Sequence, residues 1–98
     1  MRILITGGNG QLGRSLQRAL TSEDAAALGH AELDITDAHA VDEAIGRHRP
    51  HVVIHAAALT DTARCEREPE AARAINGSGT ENVAKACQRS GARLVAVS

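Results

Sequence analysis

The sequence predicts an α/β domain, a parallel sheet with helices on both faces, and three observations predict it. Glycines crowd into "ITGGNGQLG" (5–13), with an apolar run before them and an amphipathic run after. The remainder alternates between short β-branched runs and stretches of helical spacing. The most strand-like run, "HVVIHAAA" (51–58), ends in three small residues. Strands alternating with helices imply βαβ units with right-handed crossovers.

The elements follow in order. "RILIT" (2–6) reads as a buried strand ended by glycines. From 11 to 21, Leu12, Leu16, Ala19 and Leu20 recur at helical spacing. "AAAL" (25–28) is a weak second strand closed by Gly29, and "AELDITD" (31–37) is a loop with room for a short strand around Leu33. Helical spacing resumes over 37–48 through Val41, Ala44 and Ile45, and Pro50 stops it. After the strand at 51–58, a long helix is expected from about Glu70 to Ser90. Its small or apolar stripe is Ala72, Ile75, Gly79, Val83 and Cys87. Gly91 ends it, and "ARLVAVS" (92–98) is another strand. No internal repeat, linker or low-complexity tract divides the chain.

Composition narrows the class. The 98 residues make one domain or part of one. Leu, Ile and Val number 8, 6 and 6 and Ala 19, with no Phe, Tyr or Trp, so the core must be aliphatic. Aromatic rings normally supply the largest burial contributions. Their absence, with a final strand apolar on both faces that would stand as an unpaired edge, leads us to expect a chain cut within a larger fold. The net charge is −1 with signs interspersed, and no aromatic is present to stack on bases, which argues against nucleic-acid binding. No segment is apolar enough to span a membrane, and the first residues lack a signal-peptide pattern. Cys65 and Cys87 show neither metal-ligand nor disulfide-framework spacing, nor do His30, His39, His48 or His51 show ligand spacing. A cytoplasmic protein with reduced thiols and no metal is expected.

The glycines carry the chemistry. Gly8, Gly10 and Gly13 form G-x-G-x-x-G, while Gly7, Gly10 and Gly13 form G-x-x-G-x-x-G. Both spacings between a strand and a helix serve the same demands: a tight turn, close approach of backbone to a pyrophosphate, and close helix–strand packing. The helix N-terminus then offers free N–H groups to the anion. No G-K-[ST] follows, so the loop is not a P-loop for a nucleoside triphosphate. A Rossmann-type sheet of strand order 3-2-1-4-5 is therefore expected.

Such a fold wants an acid near the end of its second strand to hold the adenosine ribose. Glu32 and Asp34 are the nearest, but Gly29 and His30 stand immediately after the strand and leave room for a 2′-phosphate. Both NADH and NADPH are thus expected as cofactors. Asp34 with Ile35 has a second reading at the adenine edge, and a third as an ordinary loop carboxylate at a helix start. Ala56, Ala57 and Ala58 let a flat cofactor pass close to the backbone, or are small for packing alone. His55, inside the strand, reads as a structural histidine with satisfied ring nitrogens rather than a base. Asn76 sits mid-helix against its propensity, which suggests close packing or a polar contact with the sheet.

Together "ITGGNGQLG", "AELDITD", "RPHVVIHAAALT", "AINGSGTENVAKAC" and "GARLVAVS" resemble the extended short-chain dehydrogenase/reductase superfamily. Within it they are most similar to the dTDP-4-dehydrorhamnose reductase family, from Arg2 to Ser98. The resemblance implies NAD(P)H-dependent reduction of a 4-keto deoxysugar on a nucleotide, in the formation of dTDP-L-rhamnose. It implies that Gly7, Gly10, Gln11, Leu12 and Gly13 meet the pyrophosphate, and Asp34 and Ile35 the adenine. Ala56–Ala58 with Thr60 would line the ribose and nicotinamide, and Asn76 would steady the site from its helix. Leu59 and Ala63 depart from the family, which commonly has an aromatic or His and an Asp there. The superfamily's catalytic Ser/Thr, Tyr and Lys would all lie beyond Ser98. Residues 1–98 would be the N-terminal part of the NAD(P)-binding domain, without the substrate lobe and inactive alone. Its partners would be the dinucleotide, a nucleotide sugar and, in one arrangement, a second copy in a homodimer. The rival readings are a nucleotide-sugar epimerase or dehydratase of the same superfamily, and a regulatory subunit that binds the dinucleotide without turning it over.

Overall fold

A computed structural model describes residues 1–7, 11–20, 24–29, 32–56 and 69–96, with the side chains of 11, 12, 69 and 71–76 left aside. Strands β1 (Arg2–Thr6), β2 (Asp24–Leu28), β3 (Val52–His55) and β4 (Arg93–Ala96) alternate with helices α1 (Gln11–Ala19), α2 (Ala38–His48) and α3 (Pro69–Ser90). All pairings are parallel, in the order β2-β1-β3-β4. This is the doubly wound sheet that the alternation predicts.

One expected element is replaced by turns. Residues 32–37 form no strand around Leu33, so the outer strand of the 3-2-1-4-5 order is not among the described residues. Local hydrogen bonds decide this. Gly29 O accepts from the amides of Glu32 (3.1 Å) and Leu33 (3.0 Å), and an Asp34 carboxylate oxygen accepts from Thr36 N (3.0 Å) and its hydroxyl (2.6 Å). Side chains that bond their own backbone favour turns over ladders. Leu33 is nonetheless buried, as a core residue presented from a turn.

The sheet's two faces differ in how they are covered. Leu4 and Val53 join Val41, Ala44 and Ile45 of α2 and Val83, Ala86 and Cys87 of α3 in one buried cluster, completed by Leu33 and Ile35. Burying a Val, Leu or Ile side chain contributes roughly 1.5–3 kcal/mol, so this cluster holds α2 and α3 to the sheet. Ile3 and Ile5, one residue out of phase, face the other side, where a right-handed β1–α1–β2 crossover puts α1.

The helix ends have explicit causes. The Asp37 carboxylate accepts from Ala40 N (3.2 Å) and caps α2. Beyond the helix, Arg49 turns left-handed (φ 48°, ψ 54°) and its amide reaches Ile45 O (2.9 Å) before Pro50. Gly91, with φ 80°, closes α3 the same way by donating to Cys87 O (2.9 Å).

Candidate functional site

Three strands finish level at one edge of the sheet. Thr6 pairs with Leu28 on one side and with His55 on the other, so Gly7, Gly29 and Ala56 are the next residues out. Gly7 N donates to Leu28 O (2.9 Å) and Ala56 N to Thr6 O (3.1 Å), which carries the ladder to the last position. All three of these small residues are buried. Gly7 has φ 76°, a left-handed conformation that residues with a Cβ rarely adopt. β1 ends just before Gly7, and α1 begins at Gln11 with no acid in its first turn. Gly13 is buried in that turn. In open α/β sheets, ligands bind in the crevice outside the carboxyl ends of the strands.

Not every expected site residue falls within the described residues. Gly7, Gly13, Asp34, Ile35 and Ala56 are placed in full, and Gln11, Leu12 and Asn76 only as helical backbone. Gly10, His30, Ala57, Ala58 and Thr60 lie outside, as do Leu59 and Ala63. The structure brings Gly7 and Ala56 together at adjacent strand ends, and α1 starts four residues after Gly7. Asp34 stands exposed on the loop after β2, while the Ile35 side chain is spent in the core. Gly79 of α3 makes that burial feasible, since a Cβ there would come within 2.7 Å of Ile35 Cγ1. The Ile35 carbonyl accepts from Asn82 Nδ2 (2.9 Å), so α3 holds this loop by its side chain and its backbone together.

Beneath the edge runs a buried polar chain. His55 is 1% exposed, and its Nδ1 is 2.7 Å from the Thr6 hydroxyl. Its Nε2 is 3.1 Å from the Thr80 hydroxyl on α3. Burial pushes the His55 pKa below its ordinary value, so the neutral ring is favoured. The expectation of a satisfied structural histidine holds. Its partners were not foreseen; the signal available was a threonine closing an otherwise apolar strand. A cleft of about 450 Å³ lined by Arg2, Arg49, Pro50 and His51 opens at the other end of the strands and shares no residue with the glycine edge. Among the described residues, no cluster of His, Cys, Asp and Glu is arranged to hold a metal, and no helix is long and apolar enough to cross a membrane.

A four-stranded parallel sheet, flanked by helices and carrying a glycine turn at its β1–α1 junction, defines a domain of the Rossmann type. Within that class the chain belongs to the family described as "RmlD substrate binding domain", whose model matches residues 1–98. It is 46% identical over 99 residues to a dTDP-4-dehydrorhamnose reductase of Streptomyces griseus, covering 99% of this chain and 33% of the relative. The corresponding figures for a Mycobacterium tuberculosis dTDP-4-dehydrorhamnose reductase are 44%, 99% and 32%. Among solved structures, the Bacillus anthracis dTDP-4-dehydrorhamnose reductase in complex with NADP superposes with a TM-score of 0.84 at 42% identity. That match covers 95% of this chain and 34% of the other. The chain thus spans about a third of the length of the relatives it matches. The family is described by substrate binding, whereas the 98 matched residues carry the glycine turn.

Proposed function

We propose that these residues are the cofactor-binding part of an NAD(P)H-dependent sugar-nucleotide reductase of the dTDP-4-dehydrorhamnose reductase type. One observation carries the reading: three strands end level at Gly7, Gly29 and Ala56, and the chain leaves β1 through a left-handed glycine to start a helix. The residues fit a dinucleotide. A buried glycine with positive φ leaves backbone where a pyrophosphate must approach, and the first-turn amides of α1, which have no partner within a helix, have no acid in that turn. An anion at such a helix end gains roughly 0.3–1 kcal/mol, and up to about 2 when partly buried.

In this reading Gly7, Gly10, Gln11, Leu12 and Gly13 hold the pyrophosphate. Asp34 stands at the adenine edge on a loop that Ile35 anchors, and His30 lies beside the ribose. Ala56, Ala57 and Ala58, with Thr60, keep the wall along the ribose and nicotinamide low, and Asn76 steadies it from α3. Once bound, the reduced nicotinamide supplies the hydride for a 4-keto sugar. The chain's own part is to bind, orient and shelter the cofactor. It contains no tyrosine, so the superfamily's tyrosine acid is not among these residues. Its partners in this reading are NADPH or NADH, a nucleotide sugar and a second copy in a homodimer. The free, buried Cys87 goes with a reducing, cytoplasmic compartment.

Titration with NADPH and NADH tests the reading on wild type and Gly10→Val, with circular dichroism to follow the fold. The variant fills the space that the pyrophosphate needs, so it loses measurable binding while its spectrum stays unchanged. Equal affinity of the two proteins would remove the phosphate-loop assignment.

A further inference from the structure

The Thr6–His55–Thr80 chain joins three elements at the level of the glycine edge, and nothing in the dinucleotide reading uses it. Thr6 is the last residue before Gly7, so its side chain sits at the threshold of the turn. Thr80 lies four residues after Asn76, one turn further along α3. His55 immediately precedes Ala56, the first of the small residues on the third strand. An apolar residue would fill the same core position, as Val53 does two residues earlier on the same face of β3. A histidine there carries a desolvation cost that only its two hydrogen bonds offset.

We propose that His55 is a positioning residue: its two ring nitrogens tie the end of β1 to α3 and so fix the width of the crevice into which the dinucleotide enters. The proposal rests on the dinucleotide reading for its function, but its geometry stands apart from it. With a neutral ring, one nitrogen donates and the other accepts, and each threonine hydroxyl rotates to the complementary role. The bond to Thr6 fixes where β1 gives way to Gly7. The bond to Thr80 fixes how far α3 stands from the ends of β1 and β3. If either is lost, the strand end and the helix are coupled only by non-directional apolar contact.

Substitutions that keep one bond at a time test this. His55→Asn places its amide near the Nδ1 position and retains the bond to Thr6; His55→Gln reaches the Nε2 position and retains the bond to Thr80. His55→Leu retains neither. Val53→Ala, in the same strand and equally buried, serves as a control that loses stability without touching the chain. Two readouts are taken on each protein: amide hydrogen exchange of residues 7–13 and 76–80 without cofactor, and the NADPH dissociation constant. His55→Leu is expected to raise exchange in both segments and to weaken NADPH about tenfold, within the range over which such networks couple sites. His55→Asn should raise exchange mainly at 76–80, and His55→Gln mainly at 7–13. The proposal is overturned if His55→Leu behaves as Val53→Ala does once their melting temperatures are matched, or if Asn and Gln show no opposite preference. Should wild type not bind NADPH, the functional reading fails on its own, and the exchange pattern still decides the role of His55.

Discussion

The two ends of the sheet's strands are built oppositely. At their carboxyl ends stand Gly7, Gly29 and Ala56, residues with little or no side chain. At their amino ends stand Arg2, His51 and Arg93, stitched across the chain. Arg2 N donates to His51 Nδ1 (2.9 Å), His51 N to Arg2 O (2.8 Å), Arg2 Nε to Arg49 O (2.7 Å) and Arg93 N to His51 O (2.9 Å). One end has small residues with little side chain to cover the backbone; the other ties its side chains to its own backbone. A sheet closed at one end and open at the other has a direction, and the proposed function places the cofactor at the open end.

The comparison breaks most visibly at Gly79. This glycine lets Ile35 into the core and so holds the loop after β2 beside the open end. Gly79→Leu should lower stability by about 1–3 kcal/mol, as overpacking does, and raise proteolysis at residues 32–37. Gly77, two residues earlier on the exposed face, has nothing within 4 Å of a Cβ. Gly77→Ala should therefore raise stability by roughly 0.5–1 kcal/mol from helix propensity alone. Opposite signs in thermal melts of the two variants are the expected result; the same sign would show that α3 does not seat Ile35 as described.

Acid probes the polar chain under the open end. His55 is favoured neutral in the fold and titrates at its ordinary value of 6.5 once unfolded. Its contribution is therefore complete above that pH. It is lost as the pH falls from there towards the lowered folded value, where the unfolded chain binds the extra proton. The slope for one such group is at most about 1.4 kcal/mol per pH unit. Urea midpoints from pH 7 down to pH 5 should fall more steeply for wild type than for His55→Asn, which cannot titrate at that position.

The closed end gives the smallest effect and the opposite sign. Arg49 holds a left-handed conformation that costs a residue with a Cβ roughly 1–2 kcal/mol. Arg49→Gly should recover up to about 1 kcal/mol, offset in part by the greater freedom of glycine in the unfolded chain. NADPH affinity should not change. A loss of affinity would tie the two ends together and blur the contrast between them.

The strand end at Gly7 and the helix after it were legible in the sequence because their signals are local. The glycine spacing, the strand before it and the amphipathic run after it all lie within about a dozen residues. The boundaries at Asp37, Pro50 and Gly91 follow from capping and from the stereochemistry of proline and glycine. Residues 32–37 were less legible. Leu33 suggested a strand, yet Gly29 O and the Asp34 carboxylate bond the local amides first. Ile35 looked like a loop residue with a ligand to meet, and only the missing Cβ of Gly79, 44 positions on, explains why it can be buried. His55 could be read as structural, but its partners are 49 and 25 residues away. Pairings over such distances are set by strand register and by the placement of α3, which no local pattern encodes.

The central claim is that a dinucleotide binds at the carboxyl ends of β1, β2 and β3. Mapping amide chemical shifts by NMR during an NADPH titration tests it most directly. The account predicts the largest changes at residues 7–13, at Gly29 and at Ala56, with Arg2, Arg49 and His51 unmoved. Changes centred on Arg2, Arg49 and His51, with the glycine turn silent, would contradict it.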